Sequence, residues 1–161
     1  MKKTIAIVAG GDSSEYGVSL RSAEGIMSFM DHEKYDCFVV VMHGAEWYVQ
    51  YKDTTCPIDK NDFSFVAEDG RHTFDFAYIT IHGTPGEDGI LQGYFDLIGM
   101  PYSTSGVLVE ALTFDKFVLN NYMRSLGVSV ADSMILRIGL ENEVSDKDII
   151  ERIGLPCFVK P

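Results

Sequence analysis

Hydrophobic residues in the first hundred positions follow two alternating patterns. Short apolar runs at 4–9, 35–42 and 76–81 each end just before a glycine or a histidine. Such runs are typical of strands buried on both faces, as in a parallel sheet. Apolar residues at helical spacing follow the first and third runs, over 18–30 and 90–98. Strand, helix and strand form a right-handed βαβ unit in nearly all cases. The pattern therefore predicts an α/β fold with a Rossmann-like, mostly parallel sheet flanked by helices.

The segment 43–73 interrupts this alternation. Residues 47–51 and 63–66 have the composition of short strands, and Glu-Asp-Gly-Arg at 68–71 is typical of a hairpin turn. We predict an antiparallel excursion here, after which the chain re-enters the main sheet at Phe74.

The last third of the chain has a different sequence pattern from the first hundred residues. Residues 112–126 predict one amphipathic helix that ends at Gly127, and Ser145 to Asp148 resembles a capping box before a helix over 147–153. Apolar runs at 128–137 and 155–160 predict strands. A domain rarely stops one residue after a core strand, so we expect the natural protein to continue.

Chemically reactive residues concentrate in the loops after the first and third apolar runs. Glu15 follows a Gly-Gly turn, and His82 opens a loop with three glycines and two carboxylates. If their strands are parallel neighbours, both side chains lie at the sheet edge where open α/β sheets bind ligands. Glu15 would receive an ammonium group and His82 would assist a polar substrate. Two structural alternatives remain: Asp12 to Glu15 fits a capping arrangement, and His82 could hydrogen-bond its own loop.

Four further charged residues have two interpretations each. Glu87 and Asp88 could bind a metal or act as an acid/base pair, but adjacent acids before a helix more often serve its positive N-terminus. Lys116 lies in the first turn of a predicted helix, where a cation opposes the helix dipole, which suggests a phosphate. Lys160 follows an apolar strand, from which a lysine can reach phosphates. Both lysines could instead be solvated surface charges.

Composition narrows the classes of partner. The formal net charge of −11 argues against nucleic acid and against an anionic membrane surface. No apolar stretch is long enough to span a bilayer. The three cysteines show no CxxC spacing, which fits a reducing cytosol and predicts a cytoplasmic protein. The histidines show no metal-ligand spacing, and the common dinucleotide, P-loop and hydrolase signatures are missing.

Together the motifs resemble the N-terminal part of a D-alanine–D-alanine ligase, of the ATP-grasp superfamily. Five motifs carry the resemblance, in the family's order: Gly10-Gly11-x-Ser13-x-Glu15-x-x-Val18-Ser19-Leu20, His82-Gly83-x-x-Gly86-Glu87-Asp88-Gly89-x-x-Gln92-Gly93, Pro101-Tyr102, Asp115-Lys116 and Phe158-Val159-Lys160-Pro161. They cover the whole chain, and the first two together are highly specific. Two positions depart from the family's usual pattern, Asp96 in place of Glu and Thr104 in place of Gly.

For the fold, the resemblance implies a pre-ATP-grasp substrate-binding domain over 1–111, then the truncated start of the ATP-grasp central domain over 112–161. For the site, it implies that Glu15 anchors the amino group of the first D-alanine, with Val18 and Ser19 shaping that pocket. His82 and Gly83 would lie beside the two amino acids, and Glu15 and His82 would be the catalytic residues. Homodimers through the N-terminal domain are common among these ligases, so a homodimer is one arrangement it implies.

For the chemistry, the resemblance implies ATP and Mg²⁺ as cofactors, with Lys116 and Lys160 contacting the phosphates and the metal ligands lying beyond residue 161. Such ligases phosphorylate the carboxylate of one D-alanine, and the amine of a second then displaces the phosphate. The dipeptide enters peptidoglycan. We predict that the 161-residue chain alone does not ligate.

Three alternatives remain open at this point. The chain could be a non-catalytic module that binds a small amino acid, although such a module would not need Lys116 and Lys160. A nucleotide-dependent oxidoreductase domain is disfavoured because its glycine fingerprint is absent after Ala9. Within the ligases, the acceptor could be D-lactate instead of D-alanine.

Overall fold

The computed structural model describes residues 2–139 and 144–160. The chain divides into two compact units, Met1–Phe114 and Asp115–Pro161. The division between the two units falls after Phe114, whereas the sequence predicted a domain boundary between 111 and 112. That domain boundary stays a prediction.

The first unit is built on a seven-stranded sheet. Its strands are β1 (Lys3–Gly10), β2 (Tyr35–His43), β3 (Glu46–Tyr51), β4 (Thr54–Asp59), β5 (Ser64–Ala67), β6 (Gly70–His72) and β7 (Phe76–Ile79). Their order across the sheet is β6-β5-β4-β3-β2-β1-β7. The predicted parallel strands lie side by side, with β1 between β2 and β7.

The sheet as a whole is mixed. Only β1 with β2 and β1 with β7 pair in parallel, and the other four pairs are antiparallel. The predicted excursion is confirmed but contributes more strands than expected, because short loops can join only antiparallel neighbours. The hairpin turn at 68–71 is confirmed, with Ala67 opposite Gly70. The strand β4 was missed because Pro57 within it argues against a strand.

The first unit contains three helices, α1 (Tyr16–Phe29), α2 (Ile90–Ile98) and α3 (Val107–Phe114), of which α1 and α2 pack on the sheet. Alternate residues of β1 enter two separate apolar clusters. Ile5, Ile7 and Ala9 pack with Ala23 of α1, whereas Ala6 and Val8 pack in a cluster that contains Phe95 of α2. The strand β1 is therefore buried on both faces, as predicted.

The strand β7 differs from its prediction in one respect. It is shorter than the apolar run 76–81, and Tyr78 within it is 39% exposed, so it is not buried on both faces. The reason is its position at the edge of the sheet, where helices do not cover it completely. The segment after α2 runs alongside it, because Ala77 forms an isolated parallel bridge with Tyr102.

The second unit contains α4 (Lys116–Ser125) and α5 (Asp146–Arg152). The single helix predicted over 112–126 was wrong, because Asp115 leaves helical geometry and its carboxylate accepts a hydrogen bond of 2.9 Å from the Val118 N–H. The capping box at Ser145 is confirmed. In the described residues, the strands predicted at 128–137 and 155–160 do not form, since no neighbouring strand supplies their hydrogen bonds there.

Candidate functional site

The candidate site forms where β1 and β7 end side by side. The two strands pair in parallel, with Val8 opposite Ile79. The loop after β1, residues 11–15, and the loop after β7, residues 80–89, therefore leave the same edge of the sheet. This parallel pairing confirms the condition under which Glu15 and His82 were expected to share one edge.

Buried hydroxyl groups continue the pairing of β1 and β7 beyond the strands. The Thr80 N–H and hydroxyl both donate to the Val8 carbonyl, at 2.8 and 3.0 Å. The hydroxyl of Ser19, on α1, accepts a hydrogen bond of 2.9 Å from the Gly10 N–H and donates one of 2.8 Å to the Thr80 carbonyl. The Ser19 side chain is fully buried. It therefore connects α1 to the ends of both strands.

A second serine joins the two loops farther out. The Ser13 hydroxyl donates a hydrogen bond of 2.7 Å to the His82 carbonyl and accepts one of 3.1 Å from the Glu15 N–H. Beside it, the Asp12 N–H donates to the Thr84 carbonyl at 3.0 Å. The main chains at Glu15 and His82 are thus held through one intervening side chain.

Glycines allow the two loops to approach closely. Gly11 and Gly83 both have positive φ, +95° and +75°, a region that side-chain-bearing residues rarely adopt. A Cβ on Gly83 would lie 2.8 Å from the Ser13 Cβ, and a Cβ on Gly11 would lie 2.5 Å from the Ile81 side chain. The loops therefore pack in a way that only glycine permits at these two positions.

The two carboxylates of the second loop make hydrogen bonds to its main chain. Glu87 accepts a hydrogen bond of 2.6 Å from the Gly83 N–H, which closes the loop on itself. Asp88 accepts one of 3.1 Å from the Ile90 N–H, at the start of α2. For Asp88 the favoured interpretation, service to a helix N-terminus, agrees with this contact. Glu87 instead fixes the Gly83 turn.

Gln92 connects this loop to the segment that runs beside β7. Its side chain is fully buried, and its amide nitrogen donates to the Gly86 carbonyl at 2.7 Å and to the Thr104 hydroxyl at 2.9 Å. Within the described residues its Oε1 has no hydrogen-bond partner. The loop is therefore held at Gly83 by Glu87 and at Gly86 by Gln92.

The side chains of Glu15 and His82 are not part of this network. Glu15 is the N-cap of α1 but its side chain makes no capping hydrogen bond, so the predicted capping arrangement with Asp12 was wrong. The Asp12 carboxylate turns instead to the Gly44 N–H, at 2.6 Å. In the part of the chain that the structure describes, no hydrogen bond or ion pair engages the Glu15 carboxylate or the His82 imidazole. A carboxylate and an imidazole are thus both available at the same edge of the sheet.

Comparison with known families fits this geometry. The model of the family described as "D-ala D-ala ligase N-terminus" matches residues 4–105, which contain both loops. The chain belongs to the D-alanine–D-alanine ligase family. The D-alanine–D-alanine ligase of Bacteroides thetaiotaomicron is 59% identical over 162 residues, which cover 100% of this chain and 49% of that protein. The chain spans about half the length of the curated relatives it matches.

Solved structures of the ligase family share the fold. The D-alanine–D-alanine ligase of Coxiella burnetii has a TM-score of 0.81 and 27% identity, over 95% of this chain and 50% of that one. The D-alanine–D-alanine ligase of Bacillus anthracis, solved as a complex with ATP, has a TM-score of 0.68 and 25% identity, over 92% of this chain and 45% of that one.

Both departures from the ligase pattern make side-chain hydrogen bonds near α2. Asp96 accepts a hydrogen bond of 3.0 Å from the Tyr102 hydroxyl, and burial together with this contact raises the pKa of Tyr102. Thr104 accepts the hydrogen bond from Gln92 described above. Asp96 and Thr104 therefore support the segment beside β7, and neither makes a hydrogen bond to Glu15 or His82 among the described residues.

The remaining predicted site residues occupy different surroundings. Val18 lies on α1, 40% exposed, one residue before the buried Ser19. Lys116 is the first helical residue of α4, directly after its N-cap Asp115, so it does lie in the first turn of a helix, although not of the single helix predicted over 112–126. Lys160 is an exposed residue of the second unit.

Two further findings concern metals and membranes. Among residues 2–139 and 144–160, no group of three or more histidine, cysteine, aspartate or glutamate side chains is arranged to hold a metal ion. Over the same residues, no helix combines the length and the apolar character needed to cross a membrane.

Sequence reasoning missed the structural roles of Ser13 and Gln92. Ser13 had one local signal, its position two residues before Glu15, since a serine side chain often accepts from the N–H two residues on. Nothing local to Gln92 indicated that its amide would reach Thr104.

Proposed function

We propose that this chain is the N-terminal part of an ATP-dependent D-alanine–D-alanine ligase, which makes a dipeptide for peptidoglycan. The observation that carries the proposal is the pair of side chains, Glu15 and His82, presented without structural partners on two interlocked loops in a chain of this family. A carboxylate without a structural partner is suited to bind an ammonium group, because charged hydrogen bonds are about twice as strong as neutral ones.

In this proposal, Glu15 holds the amino group of the first D-alanine. Val18 forms part of the pocket wall, and the buried Ser19 holds α1 against the strand ends so that Glu15 keeps its place. His82 lies beside the amino acids, and Gly83 lets the loop approach them. The acceptor is D-alanine, with D-lactate the alternative that residues outside this chain would decide.

Lys116 and Lys160 are proposed to contact ATP phosphates. Two exposed lysine ammonium groups suit phosphate oxygens, and Lys116 follows an N-cap at the start of a helix, where anions are favoured. ATP supplies a phosphoryl group to the carboxylate of the first D-alanine, and the amine of the second then forms the peptide bond as phosphate leaves. The described residues offer no ligand set for Mg²⁺, so we assign them no metal-dependent step.

The isolated chain is proposed to be inactive, because it spans only half the length of its relatives. We also propose a cytoplasmic location and a homodimer through the first unit. The 91% exposure of Phe29, an apolar residue at the end of α1, supports an interface on this unit. Sedimentation of the full-length protein distinguishes a dimer from a monomer.

The decisive experiment begins with the source gene beyond the codon for Pro161. The continuous frame is expressed, and release of ADP is measured with and without D-alanine, beside the 161-residue chain. We expect D-alanine-dependent ADP release and dipeptide from the full-length protein and none from the chain. ADP release by the chain alone would refute its proposed inactivity. D-alanine binding by a full-length protein that neither binds nor consumes ATP would favour the amino-acid-binding module.

A further inference from the structure

Ser13 is the only side chain in the described residues whose hydrogen bonds reach the main chain of both Glu15 and His82. Its hydroxyl accepts a hydrogen bond from the Glu15 N–H and donates one to the His82 carbonyl. The first N–H groups of a helix lack partners within the helix, and the Ser13 hydroxyl supplies one for the N–H of Glu15, the N-cap of α1. One hydroxyl thus hydrogen-bonds to the main chain of both candidate site residues.

The surroundings of Ser13 leave it little freedom. A Cβ on Gly83 would lie 2.8 Å from the Ser13 Cβ and 3.1 Å from its oxygen. Gly83 is itself held by the Glu87 carboxylate at 2.6 Å. Ser13 is therefore seated against a loop segment that is fixed from its other side, which makes it a firm link and not a chance surface contact.

The other links between the loops do not replace it. The Asp12 N–H to Thr84 contact lies beyond His82, and Ser19 acts deeper, at Gly10 and Thr80. Without the Ser13 hydroxyl, the Glu15 N–H and the His82 carbonyl would lose their shared partner while the strands stay paired. The expected consequence is a shift between the two loops, with β1 and β7 unchanged.

We propose that Ser13 is a positioning residue of the ligase: it sets the placement of the Glu15 carboxylate relative to the His82 imidazole, and so the seat of the first D-alanine. This inference rests on the proposed function. The placement of these side chains matters because a displacement of about 1 Å of the groups that hold a substrate can lower the reaction rate on the order of a hundredfold.

The test compares Ser13→Ala with Ser14→Ala in the full-length protein. Ser14 is the matched control, because it is the next residue of the same loop, is exposed, and makes no side-chain hydrogen bond among the described residues. We expect Ser13→Ala to raise the KM for the first D-alanine about tenfold, because a displaced Glu15 carboxylate binds the D-alanine ammonium group less well. The KM for ATP should stay unchanged. Ser14→Ala should leave both constants unchanged.

A merely structural role gives a different result. If Ser13→Ala only lowered the folded fraction, kcat would fall, both KM values would stay unchanged, and the unfolding midpoint would drop; that outcome overturns the proposal. Equal kinetics for the two variants also overturns it. If the wild type shows no D-alanine-dependent ADP release, the proposed function fails instead.

A second measurement does not depend on activity. Resonances of the His82 ring and the Glu15 carboxyl are compared between wild type, Ser13→Ala and Ser14→Ala by isotope-edited NMR. We expect both resonances to move in Ser13→Ala and neither in Ser14→Ala. Unmoved resonances in Ser13→Ala would show that the hydroxyl does not position these side chains.

Discussion

The Ser19 hydroxyl and the Thr80 carbonyl are joined by a buried hydrogen bond of 2.8 Å that crosses 61 positions of sequence. It ties the first helix to the end of β7, and the same oxygen accepts from the Gly10 N–H at the end of β1. Ser19, which was expected to shape a substrate pocket, therefore holds together α1 and the ends of β1 and β7. Ser19 therefore fixes the relative position of the two strand ends, and any effect it has on the proposed substrate pocket acts through them.

Ser19→Ala should destabilise the first unit. The substitution leaves the Gly10 N–H and the Thr80 carbonyl buried without this partner, and an unsatisfied buried group costs about 1–3 kcal/mol. The measurement is urea unfolding of the chain followed by fluorescence of Trp47, the only tryptophan, which lies in the first unit.

The control for Ser19→Ala is Ser22→Ala. Ser22 lies on the same helix, and its hydroxyl donates to the Val18 carbonyl in the preceding turn, an exposed contact. Its loss should change the free energy of unfolding by less than about 0.5 kcal/mol. Equal effects of the two substitutions would show that the bridge at Ser19 contributes nothing to stability.

Gly83→Ala should destabilise more than Gly99→Ala. Both glycines have positive φ, +75° and +70°, so alanine is strained by roughly 1–2 kcal/mol at either position. Only at Gly83 does the new Cβ also meet an atom, the Ser13 Cβ at 2.8 Å, whereas at Gly99 nothing lies within 4 Å. The excess should be about 1–3 kcal/mol, typical of overpacking.

The same unfolding assay measures both glycine variants. The double variant Ser13→Gly/Gly83→Ala removes the opposing Cβ and should recover part of the excess. If Gly83→Ala is no more destabilising than Gly99→Ala, the close approach of the two loops is not maintained in solution.

The frame of the site could be predicted from sequence because its signals are local. An apolar run that stops at Gly10 marks β1, one that stops at His82 marks β7, and the βαβ rule makes β1 and β2 parallel neighbours. The parallel pairing of β1 with β7, which brings Glu15 and His82 to one edge, was only a condition of the sequence argument, and the structure supplied it. Local signals also say nothing about which hydroxyl bonds to which carbonyl.

The missed features depend on distant or absent partners. Ser13 meets His82 across 69 positions, so no window of sequence could reveal the contact. The break at Asp115 was missed for the opposite reason: a residue that caps a helix also fits the polar face of an amphipathic one. The runs 128–137 and 155–160 have strand composition, but composition cannot supply the neighbouring strand that a strand requires.

Stability of the β5–β6 hairpin should depend on pH through Asp69. Its carboxylate accepts hydrogen bonds from the Tyr51 hydroxyl at 2.5 Å and from the His72 ring at 2.9 Å, and these contacts lower the pKa of Asp69 to about 2. Because the folded pKa lies below the unfolded value of about 3.9, the contribution is present above about pH 4. It is lost as the pH falls through about 2.

Asp69→Asn tests this dependence. We expect the variant to unfold at lower urea than wild type at pH 7, and the gap between their midpoints to shrink between pH 4 and pH 2. Asp53→Asn is the control, since Asp53 is exposed and makes no side-chain hydrogen bond among the described residues. A gap for Asp69→Asn that stays constant down to pH 2 would contradict the role given to its ionised carboxylate.

Glu15→Gln should separate binding from folding in the full-length protein. The Glu15 carboxylate makes no hydrogen bond among the described residues, so its neutral isostere should leave the unfolding midpoint unchanged. Loss of a charged hydrogen bond to the D-alanine ammonium group should weaken binding of the first D-alanine by roughly 1–3 kcal/mol. This loss would be measured as a higher KM for the first D-alanine. Glu24→Gln, an exposed glutamate on the same helix, controls for the change in net charge and should alter neither quantity. Unchanged kinetics in Glu15→Gln would show that Glu15 does not bind D-alanine. A lowered unfolding midpoint would show that Glu15, like Ser19, contributes to stability.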